Sequence, residues 1–184
     1  MSWALLILGL ALWNAAHFFK RLMPQARASM GNAGKGVVAA VIAVGLVLMV
    51  IGYRGTDFVH VYETPSWTVH INNLLMVIAV VLTGAGNSKS RLRDKMRHPM
   101  LAGVRVWAIA HLLVNGDLAS ILLFGGLFIW ALLQVIVINR AEPDWTRPDP
   151  GTVAGDVRLA LISAVVFAVI AGVHTWLGYP VFPT

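Results

Sequence analysis

The chain has 184 residues, 58% of them apolar and only 12% charged, and a mean hydropathy of +0.76. That leaves too little polar surface to clothe a soluble domain and places the chain among integral membrane proteins. A formal charge of +6 would suit nucleic acid, but the basic residues lie in loops between apolar runs without aromatic interleaving, so they read as topology signals and exclude that partner.

Six apolar runs follow in chain order: 3–19, 37–53, 67–86, 99–114, 118–138 and 159–179. About 20 residues at ~1.5 Å rise cover the hydrocarbon core, and a helix satisfies every backbone group within the segment. The fourth run is the shortest and least apolar, because it carries Arg105 and His111. The expectation is an all-α fold, a polytopic transmembrane bundle of six membrane-spanning helices in one domain over residues 1–184, with no internal repeat.

The basic residues give the orientation. Lys20, Arg21, Arg27 and Lys35 fall in the first loop, Lys89, Arg91, Arg93, Lys95 and Arg97 in the third, and Arg140, Arg147 and Arg158 in the fifth. Only Arg54 falls in a loop of opposite parity. Odd loops are therefore cytoplasmic and both termini lie on the far side, periplasmic in a bacterial inner membrane. The first run is followed, not preceded, by its basic cluster, so it reads as a retained helix rather than a secretory signal. "NRAEPDWTRPDPGTVAGD", residues 139–156, reads as a turn or connector rich in Pro, Gly and acids.

Ionisable groups inside a bilayer are costly and point to function. There is no cysteine, so any metal must be held by nitrogen or oxygen. His17, His70, His111 and His174 lie in the runs, His98 at the cytoplasmic mouth and His60 in an outer loop, where a solvated imidazole is the plain reading. For the inner four, a hydrogen bond between helices is the alternative to a ligand. Zinc is poorly served, since no His-Glu-x-x-His occurs and only Asp117 and Asp156 lie near the spans. Haem asks only for axial imidazoles and a large apolar slot. Arg97 and His98 can pair with a cofactor's anionic groups, and Arg105, seven residues after His98, shares nearly the same helical face. Snorkelling to lipid phosphate is the competing reading for Arg97. Asn115, Gly116 and Asp117 form a turn sequence, with Asp117 placed to cap the next helix.

The stretch "RHPMLAGVRVWAIAHLLVNGDLASILLFGG", residues 97–126, resembles the signature of the NnrU family, bacterial membrane proteins associated with denitrification genes. That family is similar to the plant 15-cis-zeta-carotene isomerases, which share Arg-His-Pro followed by Trp-x-x-Ala-His. "AAHFFKRLMP" (15–24) and "GVHTWLGYP" (172–180) extend the resemblance to the first and last helices. It implies a haem b protein with His17 and His111 as axial ligands. Its work would be the haem-dependent cis-trans isomerisation of a hydrophobic polyene, or a non-enzymatic role in nitrogen-oxide respiration beside a membrane protein partner. The plant enzymes carry a cysteine within Trp-x-x-Ala-His that is implicated in redox-dependent ligand exchange; Ala108 stands there in this chain, so a thiolate switch is absent.

Depth within the membrane adds a competing assignment. His17 falls toward the cytoplasmic end of its helix and His111 toward the outer end of its own, an offset of about 10 Å at ~1.5 Å per residue that tilted helices would have to bridge. His70 and His174 match His111 in depth better, so His70 stands second to His17. An Arg-His-Pro before a helix also occurs in membrane methyltransferases, giving an alternative function. Those need an acidic segment downstream, for which this chain offers Glu142 with Asp144.

Overall fold

The computed structural model describes residues 1–182, and in them every regular element is helical. The helices are α1 (Ser2–Leu22), α2 (Pro24–Ser29), α3 (Ala33–Gly55), α4 (Thr68–Ala85), α5 (Pro99–Leu112), α6 (Leu118–Ala141) and α7 (Val153–Trp176). α6 is interrupted early by a π-helical turn, Ile121–Gly125. The all-α expectation holds, and the protein is a multi-pass membrane protein. Five helices are long and apolar enough to cross a bilayer; α5, with 14 residues, is the shorter apolar one. At ~1.5 Å per residue α5 is about 21 Å long, short of a ~30 Å hydrocarbon core.

Two elements depart from the hydropathy reading. α2 was not anticipated, because "PQARAS" has no apolar face; Pro24 at its first turn supplies the pre-set φ that starts it. α7 begins ahead of its apolar run, because the Thr152 side chain accepts from the Gly155 amide at 3.0 Å and caps the helix there. Asp156 in the first turn and Arg158 just after it break the hydropathy there. Asp156 instead accepts from the Arg91 amide at 2.8 Å and from its guanidinium at 2.5 Å, tying the third loop to the start of α7.

The chain divides into two compact units. One comprises Met1–Tyr62 and Gly116–Ala141, the other Glu63–Asn115 and the segment from Glu142 onward. In the first, α1 and α3 meet through glycines. A Cβ on Gly9 would lie 2.7 Å from both Gly45 O and Met49 N, and one on Gly52 would run into the backbone of Leu6. Small residues let two helix backbones approach where no hydrophobic effect drives association, so van der Waals contact does the work. Leu6 and Met49 fill this seam, at 0% and 3% exposure.

In the second unit α4 packs on α5 and α7. Gly103 of α5 sits against Ala79 O and the Thr83 hydroxyl, and Gly84 of α4 against Leu159 Cδ1. Gly151 and Gly155 lie against the backbone of Lys89 and Ser90, and Thr152 N donates to Lys89 O at 3.0 Å, so the third loop is folded onto the fifth. The outward faces are apolar. Val44 and Val47 on α3, and Leu161, Val165 and Val169 on α7, are all about half exposed or more. Such faces are stable only against lipid.

Candidate functional site

The first unit holds an aromatic cluster around His17. Trp13, one turn earlier on α1, stacks on the imidazole with ring centroids 4.4 Å apart at 39°. Trp130 from α6 meets both rings edge-on, 4.7 Å from His17 and 5.3 Å from Trp13. His17 Nδ1 lies 2.8 Å from Trp13 O. A carbonyl can only accept, so Nδ1 carries the proton and the Nε2 of the neutral ring holds the lone pair.

The second unit repeats this arrangement. His111 of α5 places Nδ1 2.9 Å from Trp107 O, with the Trp107 and His111 rings 4.9 Å apart. Both segments share the pattern Trp-x-x-Ala-His, "WNAAH" at 13–17 and "WAIAH" at 107–111, with Ala16 and Ala110 buried. His174 of α7 makes the equivalent bond to Ile170 O at 2.8 Å and lies within electrostatic reach of His111 in the same unit. These three imidazoles are thus each held by their own helix in the tautomer that places the lone pair on Nε2, the form in which an imidazole ligates a metal. The sequence signal for this was legible: a second Trp-x-x-Ala-His sits in α1, although no repeat was expected.

The other candidates are placed as follows. His70 is exposed in the first turn of α4. His98 is the residue before Pro99 at the start of α5, and its carbonyl accepts from Ala102 N at 3.0 Å. Arg97 donates to the backbone carbonyls of Pro143, at 3.3 Å, and Glu142, clamping the fifth loop. Arg105 donates through Nε to Leu101 O of its own helix at 3.3 Å. Asn115 Nδ2 donates to His111 O at 2.8 Å and closes the end of α5. His60 pairs with Asp117 in an isolated antiparallel bridge between the loop after α3 and the turn before α6.

The turn after Asn115 is built as its residue types suggest. Asp117, 9% exposed, accepts from Ser120 N at 3.0 Å and from the Ser120 hydroxyl at 2.5 Å, and Tyr53 OH lies 2.9 Å from the same hydroxyl. That is a helix cap reinforced from α3.

Among the described residues no three His, Asp or Glu gather into a metal-holding group. A bare ion would need such a cluster, whereas haem iron, already held by four porphyrin nitrogens, asks for one or two imidazoles in the tautomer found here. The donor set fits haem. Sequence reasoning passed over Trp130, which lies far along the chain from His17 and carries no motif; only the packing of α6 on α1 brings it there.

No curated protein matches the chain and no solved structure does. The family profile described as NnrU protein matches residues 5–181, nearly the whole length, and the chain belongs to that family.

Proposed function

We propose that this protein binds haem b in a bacterial inner membrane, where His111 would hold the iron and His17, by the resemblance, would be the second histidine to do so. The observation that carries the reading is the recurrence of Trp-x-x-Ala-His with Nδ1 bonded to the carbonyl one turn earlier. Orienting an imidazole through its second nitrogen is how proteins hold metal-bound histidines.

The residues divide the work. His17 and His111 would supply Nε2 lone pairs, and the rings of Trp13, Trp107 and Trp130 would exclude water and fix the imidazole planes. Arg105, inside α5, offers a positive charge to an anionic edge of the cofactor. Bound haem would supply an electron-rich or electron-poor iron, according to its redox state, for isomerising a hydrophobic polyene or for service in nitrogen-oxide metabolism. The basic odd-numbered loops support a cytoplasmic third loop and periplasmic termini. The profile covers nearly the whole chain, in keeping with a single NnrU-like domain.

The test is an optical spectrum of protein purified after haem supplementation. Low-spin Soret and α/β bands are expected in the wild type, their loss in His111→Ala, a high-spin five-coordinate spectrum in His17→Ala, and no change in His174→Ala or His70→Ala. A five-coordinate spectrum in His174→Ala instead moves the opposite ligand to the second unit. A wild type without a Soret band refutes the reading.

A further inference from the structure

Trp130 is only 6% exposed, and the indole nitrogens of both Trp130 and Trp13 are buried without a hydrogen-bond acceptor. A buried indole N–H normally finds a partner, and leaving one unmade forfeits the whole desolvation cost of the group. Here two such donors flank one imidazole within 5.3 Å of each other by ring centroid. The edge-on contacts among the three rings offer at most a π face, a weaker acceptor than oxygen. The helix adds a sign to the site. Trp13, His17 and Arg21 are spaced four residues apart and so line one face of α1, with Lys20 beside them. Two N–H donors and a nearby guanidinium are complementary to a group with several lone pairs, no hydrogen to donate and a negative charge.

We infer that Trp13 and Trp130, beside His17 and above Arg21, form a receptor for the carboxylate of an amphiphilic ligand. One carboxylate has two oxygens and can accept from both indoles while its charge faces the basic end of α1. The apolar body of the ligand then lies along the membrane-facing helices. Two sources carry this chemistry: a propionate of haem, in which case the inference rests on the haem reading above, and a free long-chain carboxylic acid.

The experiment compares each acid with its ester, in the wild type and in the Trp13→Phe/Trp130→Phe variant, which keeps the aromatic stack and removes both donors. Haem b and haem dimethyl ester are titrated by the Soret band, and palmitate and methyl palmitate by the shift in thermal unfolding. Trp176→Phe, at an 83% exposed position, is the control. A charge-assisted hydrogen bond is worth roughly tenfold to a hundredfold in affinity. The wild type should therefore prefer haem to its ester, and the double variant should lose about that factor of the preference. If instead palmitate raises the unfolding temperature of the wild type, methyl palmitate does not, and the variant loses the difference, the free acid is the ligand. Where the double variant aggregates, Trp130→Phe alone serves for the same comparison. An acid preference undiminished by the loss of the indoles, or no acid preference in either pair, overturns the inference. A wild type with no Soret band refutes the haem reading, and the palmitate arm then decides this one.

Discussion

Replacing Gly9 by Ala tests the seam that carries α1, and with it Trp13 and His17. A Cβ there would lie 2.7 Å from Gly45 O, 2.7 Å from Met49 N and 2.8 Å from Met49 Cγ. Comfortable contact between heavy atoms begins near ~3.5 Å, so α1 and α3 must part by roughly 0.5–1 Å along a line where two backbones touch. Overpacking of this kind costs about 1–3 kcal/mol, against a gain of about 0.5–1 kcal/mol from replacing a helical glycine. The net loss is on the order of 1–2 kcal/mol, which for a chain of this size lowers the unfolding midpoint by about 2–8 °C. Gly36 and Gly172 are the controls, because a Cβ at either meets nothing within 4 Å. There only the helix gain remains, and Ala should leave the midpoint unchanged or raise it. The assay is thermal unfolding of detergent-purified protein followed by circular dichroism. Gly9→Ala unfolding at or above the Gly172→Ala temperature would show that the α1–α3 contact is looser than this packing requires. Because Gly9, Trp13 and His17 recur every four residues on α1, the same variant should also disturb the near-ultraviolet signal of the tryptophan cluster.

Removing the cap at the start of α6 should be costly. Asp117→Ala leaves Ser120 N and the Ser120 hydroxyl without their acceptor and should cost about 1–2 kcal/mol, read by the same unfolding assay; equality with wild type would mean the cap is redundant. Tyr53→Phe removes the hydrogen bond to the Ser120 hydroxyl and should cost about 0.5–1.5 kcal/mol, less than Asp117→Ala. Tyr62, in the loop after α3, has its phenol pushed above the ordinary tyrosine range, first by burial and second by the charge of Asp117. The neutral phenol is therefore favoured in the folded chain, and its stabilisation is complete below the ordinary tyrosine pKa and lost as pH rises through the raised one. Ultraviolet titration should find a late-ionising tyrosine that Tyr62→Phe removes and Asp117→Asn brings down. A late component that persists in Tyr62→Phe would contradict this assignment.

Fold class and the number of apolar segments were legible in the residues, because the bilayer imposes length and hydropathy on any chain that crosses it. Asn115 to Asp117 read as a turn with a cap, and the structure builds that turn from the same side chains. Helix geometry also fixes these histidines locally: the ring nitrogen reaches the carbonyl four residues back, in both Trp-x-x-Ala-His segments and at His174, so three histidine tautomers follow from it. What hydropathy could not give was decided by contacts between segments remote in sequence. The early start of α7 depends on Thr152 and on Asp156 finding Arg91, a pairing invisible to a window of consecutive residues. The seam of α1 against α3 depends on which face each glycine occupies when the helices cross. Trp130 joins Trp13 and His17 only because α6 packs back on α1, and a tryptophan in an apolar run looks like ordinary core until its N–H is found buried without an acceptor. Local patterns act through the backbone of one helix, whereas an unmet donor is a property of everything that surrounds it, and that surrounding exists only in the folded chain.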